Sequence, residues 1–257
     1  METITTHLEQ IIRKSIEIYM ESKSIWRIFF LPFFILMLLS LILFLLPYSS
    51  VFAGASFLRF DLYPETDFII FTAILLALIC AFSYCSIVAM VIAKNYVITG
   101  RITFTLNNFE GKLLYVISSY ILLYIFASLL SVVIVWLPAL NFGILTFFVK
   151  LVILAIWFAI FMMFWFTPQA IVLDNRSLKS AMSASSKFIA TDYRFISTFV
   201  VLAAIVMEIL YLLGSLHWTL LGIAYIVNFM VVLPLLIVVQ TVIYLTRYTL
   251  RRISLDR

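Results

Sequence analysis

Residues 68–93 read FIIFTAILLALICAFSYCSIVAMVIA, a run of 26 residues without a charged side chain. A helix needs about 20 mostly apolar residues to cross the hydrocarbon core of a bilayer. Backbone N–H and C=O groups in lipid must pair within their own segment, which favours a helix over an open strand. The stretch therefore predicts a membrane-spanning α-helix and decides the class of fold.

Five further apolar segments flank this one. They are residues 25–46, 113–137, 142–166, 195–214 and 218–246. Pro47, Pro138 and Pro168 follow the ends of three of these segments. Pro234 lies inside the last one, where we expect a kink because proline lacks the N–H of the helical ladder. The sequence thus predicts an all-α, polytopic integral membrane protein with six transmembrane helices.

The composition excludes the other broad classes. Of the 257 residues, 65% are apolar and only 11% are charged. A soluble domain carries about 25% charged residues, and a disordered chain combines low hydrophobicity with high charge. We expect a single transmembrane domain over residues 1–257, with three units that share a pattern (1–94, 95–172 and 173–257) but little residue identity.

The positions of the basic residues predict the orientation. Of the 17 Lys and Arg residues, only Arg59 and Lys150 lie outside four regions: the N-terminal segment, the second-to-third and fourth-to-fifth connections, and the C-terminus. Six spans place these four regions on one side. Because Lys and Arg are enriched in cytoplasmic loops, we expect a multi-pass plasma (cell) membrane protein with both termini in the cytoplasm.

Two amphipathic segments are typical of helices that lie in the membrane interface. In the first, one side of the helical wheel carries Ile4, Leu8, Ile11, Ile12, Ile18, Tyr19 and Trp26, and the other carries Glu9, Gln10, Arg13, Lys14, Glu17 and Glu21. The second begins after Asp174 or Asn175, either of which can cap it. Residues 100–109 form a shorter third candidate. The sequence therefore predicts two or three cytoplasmic interfacial helices.

Residues 166–188, FTPQAIVLDNRSLKSAMSASSKF, and the small polar turn TGRIT at 99–103 carry a resemblance to a known family. They resemble the membrane domain that precedes some glycerophosphoryl diester phosphodiesterases, and related uncharacterised six-helix membrane proteins of bacteria and archaea. In those enzymes catalysis takes place in a separate soluble barrel. The resemblance therefore implies a membrane fold and an accessory role, and it implies no catalytic residue.

Lys150, Glu208 and Asn228 form the candidate intramembrane polar site. Six spans place Lys150 and Glu208 at a similar depth, about 9 Å inside the outer boundary. An ionisable group in hydrocarbon is costly unless it pairs, reaches the interface or meets water. The two residues therefore form a pair or line a polar cavity, or else Lys150 extends to the interface and Glu208 is protonated or also reaches the interface. Asn228 and Gln240 either line a polar pathway or make interhelical hydrogen bonds.

The basic residues of the fourth-to-fifth connection are candidate contacts for anionic lipid headgroups. They are Arg176, Lys179, Lys187 and Arg194. Each Lys or Arg near an anionic membrane surface contributes on the order of 1 kcal/mol of binding. The same residues also contribute to the orientation expected from the positive-inside rule. Orientation and headgroup binding are compatible with each other.

No motif indicates an enzyme, a nucleotide site or a metal site. Cys80 and Cys85 are interpreted as small buried apolar residues. We therefore expect no cofactor, no metal and no nucleic-acid partner. The first hypothesis is a non-enzymatic membrane protein that acts as a scaffold or accessory factor for membrane proteins or lipids. The second is a small transporter or lipid-handling protein that uses the polar site around Lys150, Glu208 and Asn228.

Overall fold

The computed structural model describes residues 2–45, 65–104, 109–136, 144–216 and 218–246. These residues are helical almost throughout and contain no strand. The helices are α1 (Glu2–Glu21), α2 (Lys23–Ile28), α3 (Phe30–Leu45), α4 (Glu65–Thr99), α5 (Phe109–Trp136), α6 (Ile144–Phe164), α7 (Thr167–Asp174), α8 (Leu178–Thr191), α9 (Tyr193–Leu216), α10 (Trp218–Val227), a π-helical turn (Asn228–Val232) and α11 (Leu233–Tyr244).

Four to five of these helices are long and apolar enough to cross a membrane. Four single helices qualify: Thr72–Thr99, Phe109–Phe126, Tyr193–Gly214 and Gly222–Tyr244. A fifth is possible if Phe158–Asp174 and Leu178–Thr191, which are bent by 119°, form one span. The predicted all-α class is therefore confirmed. The first predicted span is only partly covered, because α3 has 16 residues and residues 46–64 lie outside the described part.

The apolar face of α1, which the sequence predicts to lie in the membrane interface, is packed against the chain itself. Buried residues recur at alternating spacings of three and four through α1, α2 and the start of α3, so they line one face of the helices. They are Leu8, Ile11, Ser15, Ile18, Ser22, Ile25 and Phe29. This face packs against α11 and α4. The predicted polar residues from Glu9 to Glu21 are exposed. The side chain of Ile4 lies outside the described part.

The hydrophobic core occupies one half of the bundle. Residues 85–93 of α4 and 237–244 of α11 are buried on every side, and so are residues 167–173 of α7. We call the region formed by these segments with α1 and α8 the packed half. In the other half, α3, α6, α9 and α10 expose large apolar side chains. We call this region the open half. α4 extends through both, because its 35 residues measure about 52 Å.

Three sequence predictions are corrected by the structure. Neither Asp174 nor Asn175 caps α8, because Ser177 is its N-cap residue and Asn175 ends α7 in a left-handed conformation (φ 55°). No helix forms over residues 101–104, since Gly100 (φ 67°) ends α4 and the chain leaves the helix. Cys80 is exposed rather than buried, because it lies in the open half of α4.

Where the sequence predicts a kink at Pro234, the structure has a π-helical turn over Asn228–Val232. The N–H of Leu233 donates to the carbonyl of Asn228, five residues earlier, instead of to the residue four back. Pro234 then lies in the first turn of α11, where its missing N–H costs least. The last predicted span therefore continues through a locally widened turn.

Candidate functional site

The carboxyl end of α7 is covered by lysines from two other helices. The Lys94 ammonium of α4 donates to the carbonyl of Leu173 at 3.1 Å, and the Lys112 ammonium of α5 donates to that of Val172 at 3.4 Å. The last carbonyls of a helix lack partners within it and carry partial negative charge. The two ammonium groups donate hydrogen bonds to these carbonyls and balance their negative charge. These contacts join α4 and α5 to the carboxyl end of α7.

Asp174 extends this network to α11 and to the connection between α7 and α8. Its Oδ2 accepts a hydrogen bond from the Tyr244 hydroxyl at 2.8 Å and lies 3.5 Å from Nε of Arg176. Tyr244 is fully buried. Side chains of α4, α5 and α11 therefore bind residues 172–174, where α7 ends and the sharp turn to α8 begins.

Three of the four predicted headgroup residues lie on one surface: Lys179 and Lys187 on the outer face of α8, and Arg176 in the connection before it. A depression of about 550 Å³ is lined by Arg176, Ser177, Lys179, Ser180, Ser183, Ala184 and Lys187. Lys179 and Lys187 are exposed, whereas Arg176 is half-buried beside Asp174. Arg194 is exposed at the start of α9 and does not line the depression. We call this surface the basic face of α8.

The opposite face of α8 is buried against the chain itself. Ala181, Ala184, Ser185, Phe188 and Ile189 are buried, and the Ser185 hydroxyl accepts a hydrogen bond from the Phe166 N–H at 3.1 Å. The apolar side therefore holds the helix on the protein and leaves the basic face available to a ligand.

A buried amide pair joins α7 and α11. Nε2 of Gln169 donates to Oε1 of Gln240 at 2.9 Å, and both side chains are buried. This bond supports the interhelical interpretation of Gln240. Beside it, Oε1 of Gln169, Oγ1 of Thr167 and Nε1 of Trp165 are enclosed and have no hydrogen-bond partner among the described residues. The sequence analysis does not single out Gln169. A glutamine directly after a proline within an apolar run could have indicated a buried polar contact.

The residues of the intramembrane polar site occupy different surroundings. Glu208 is exposed on α9, and Asn228 is half-buried with its Oδ1 enclosed and without a described partner. Glu208 lies in α9, and Asn228 lies in the π-helical turn that follows α10, the helix packed against α9. Lys150 belongs to α6, but its side chain lies outside the described part. The Lys150–Glu208 pair stays a prediction.

Tyr19 connects α1 to the π-helical turn. Its hydroxyl donates to the backbone carbonyl of Met230, and burial raises the pKa of this hydroxyl. Tyr96 of α4 binds the other side of α1, since its hydroxyl donates to Oε1 of Glu17 at 3.0 Å. Neither contact follows from sequence spacing, because each joins residues more than 70 positions apart.

Comparison of the chain with protein-family models, with curated proteins and with solved structures finds no match. Among the described residues, no group of three or more His, Cys, Asp or Glu side chains could hold a metal ion.

Proposed function

We propose that the chain is a non-enzymatic integral membrane protein that acts as a scaffold or accessory factor for membrane proteins or lipids. In this proposal the six predicted segments cross the plasma membrane and both termini lie in the cytoplasm. The open half lies in the hydrocarbon, and the packed half sits at the cytoplasmic surface. The resemblance of residues 166–188 to the phosphodiesterase membrane domain supports an accessory role of this kind.

The distribution of exposed side chains supports this placement. α6 has 21 residues, or about 31 Å, which matches a hydrocarbon core of about 30 Å. α7 and α8 follow beyond its end. Large apolar side chains such as Phe34, Ile156 and Ile223 are exposed in the open half. Contact with water would make this exposure unfavourable, whereas contact with lipid chains would not.

The basic face of α8 is the observation that carries the lipid part of the proposal. Lys179 and Lys187 are exposed on one side of a helix that Phe188 and Ile189 hold against the protein. Fixed, exposed cations next to a membrane attract anionic headgroups. The bend at Asp174 and Arg176 sets the direction of α8 and therefore of Lys179 and Lys187. The packed half thus positions the basic face of α8.

Retention of phospholipid in nanodiscs or mild detergent tests this assignment. The variant Lys179→Gln with Lys187→Gln removes two exposed cations and leaves the Arg176–Asp174 contact in place. At about 1 kcal/mol per charge, we expect anionic phospholipid binding to fall by at least tenfold, with little change for zwitterionic lipid. Native mass spectrometry of the purified protein measures both lipids.

The matched control is Arg13→Gln with Lys14→Gln. These two basic residues are also exposed, but they share the polar face of α1 with Glu9 and Glu17. Anionic lipid binding should be nearly unchanged in this control. Equal losses in both variants, or no loss in either, would contradict a headgroup site on α8.

A second candidate function is a small transporter or lipid-handling protein, and Asn228 favours it. Its enclosed Oδ1 has no described partner and lies in the π-helical turn next to Pro234. Such turns occur frequently at functional sites. Proton flux into proteoliposomes, followed with an entrapped pH-sensitive dye, tests it. Flux that is lost in both Asn228→Leu and Glu208→Gln would support transport, and no flux above protein-free vesicles would count against it.

A further inference from the structure

The depression on the basic face of α8 is elongated along the helix. It extends from Ser177, the N-cap residue, to Lys187, a distance of about 15 Å at the helical rise of each residue. Apart from the buried Ala184, every residue that the structure places in its lining is a serine or a basic residue. The depression therefore suits a long, polar, anionic ligand.

Basic side chains lie at both ends of this depression. Arg176 and Lys179 lie at the amino end of α8, and Lys187 follows Lys179 by about 12 Å along the helix axis. Both lysines are exposed, and neither pairs with a carboxylate among the residues that the structure describes. Each end therefore offers a lysine ammonium to an anion.

The middle of the depression is polar but uncharged. The hydroxyls of Ser180 and Ser183 line it, and both residues are exposed. A serine hydroxyl has one donor and can also accept, so it complements hydroxyl groups and ester oxygens. The middle therefore matches a polyol better than it matches a further anion.

One phosphate group cannot contact both ends at once. A hydrogen bond from a cationic group to a phosphate oxygen is about 2.8 Å long, which is far shorter than the depression. Arg176 is kept at the amino end, because its Nε lies 3.5 Å from Oδ2 of Asp174, to which the Tyr244 hydroxyl also donates. A ligand that binds at both ends must therefore carry two anionic groups.

We propose that the basic face of α8 selects phospholipids whose headgroup carries two phosphate groups joined through a polyol. One phosphate binds at Lys179 and the other at Lys187, and the polyol lies against Ser180 and Ser183. Joining both phosphates in one headgroup makes the second contact intramolecular, which raises the affinity above that for two separate lipids. Basic pockets on the cytoplasmic side of membrane proteins bind cardiolipin and phosphoinositide headgroups, which have this chemistry.

This inference rests on the proposed lipid site of α8 and names its ligand class. Titration of the purified protein in mild detergent, followed by native mass spectrometry, tests the selection. The two-phosphate probes are cardiolipin, whose phosphates are joined by glycerol, and phosphatidylinositol monophosphate. Phosphatidylglycerol and phosphatidylinositol are the matched one-phosphate lipids.

At equal total phosphate, we expect at least one two-phosphate lipid to bind about fivefold more tightly than its one-phosphate match, the gain from one further charge contact. The lipid with the larger gain identifies the polyol. Equal affinities per phosphate for all four lipids would overturn the proposal.

Single substitutions separate the two ends of the depression. Lys179→Gln and Lys187→Gln each remove one exposed ammonium and leave the buried side of α8 intact. Each should weaken binding of the two-phosphate lipid by about fivefold. A one-phosphate lipid occupies one end at a time, so one of the two substitutions should leave its affinity nearly unchanged. Lys14→Gln, at an exposed position of α1, is the control and should leave all affinities unchanged.

If both substitutions weaken one-phosphate and two-phosphate lipids by the same factor, the lysines act as one diffuse patch and the proposal is overturned. The lipid site of α8 would then still stand. If the variant that carries both substitutions retains every lipid as well as wild type does, the lipid site itself is wrong, and the selection fails with it.

Discussion

The hydroxyl of Tyr19 donates a hydrogen bond to the backbone carbonyl of Met230, which lies four residues before Pro234. In a regular α-helix that carbonyl would accept the N–H of residue 234. Proline has no N–H to give, so the side chain of α1 supplies a donor in its place. The contact ties the amphipathic helix α1 to the π-helical turn of the last span.

Removal of this hydroxyl should loosen α1. We expect Tyr19→Phe to lower the free energy of unfolding by about 1 kcal/mol, the usual net value of one hydrogen bond. Thermal unfolding of the purified protein in detergent measures the change. Tyr193→Phe is the control, because Tyr193 is exposed at the start of α9. Equal unfolding temperatures for wild type and Tyr19→Phe would contradict the role given to this contact.

The same residue predicts a dependence of stability on alkaline pH. Burial raises the pKa of Tyr19 above that of an ordinary tyrosine, which is about 10. Above that pH the unfolded chain loses the phenolic proton while the folded chain keeps it, so stability falls as pH rises. Unfolding temperatures between about pH 9 and 11 should therefore fall more steeply in wild type than in Tyr19→Phe. Parallel curves would show that Tyr19 does not contribute.

The pair Gln169–Gln240 should behave as a coupled unit. Gln240→Leu leaves the buried amide of Gln169 without its acceptor, at a cost of about 1–3 kcal/mol. Replacing both by leucine removes the unpaired group, so the double variant should be less destabilised than the sum of the two single variants. A double-mutant cycle on unfolding free energies measures this coupling. Strict additivity would mean that the two amides do not interact.

Lys94 should stabilise the end of α7. Lys94→Met removes the donor to the Leu173 carbonyl and a cation at the carboxyl end of the helix, which is worth about 0.3–1 kcal/mol and up to about 2 when partly buried. We expect a lower unfolding temperature. Lys14→Met is the control, because Lys14 is exposed on α1. If both variants unfold alike, the ammonium does not serve as a cap.

The class of fold follows from local composition, and the packing of the helices does not. The uncharged run at residues 68–93 predicts α4, and the alternating polar and apolar positions predict α1 and α8. Apolar character alone does not say whether lipid or protein covers a face. This is why α1 and α8 were expected to rest on the membrane, although their apolar faces are buried in the chain.

The candidate site could be predicted only in part, because local spacing identifies residues on one face but not contacts between distant segments. Lys179 and Lys187 share α8, so helical spacing brings them to one face, and Arg176 lies two residues before that helix begins. Arg194 belongs to the next helix. Its distance from the other three basic residues depends on the turn at Asp192, and the spacing of residues along the sequence does not determine that turn. The contacts of Lys94 with Leu173 and of Tyr19 with Met230 join distant segments, and only the fold brings them together.

The placement of the open half in lipid and the packed half at the surface is tested most directly by spin-label accessibility in bilayers. Labels at Leu38, Ile156 and Ile226, which are exposed in the open half, should collide with oxygen and be shielded from a water-soluble nickel chelate. Labels at Arg13 and Ser183, exposed in the packed half, should show the reverse. If the nickel chelate reaches the first three positions as readily as the last two, the proposed membrane placement is wrong.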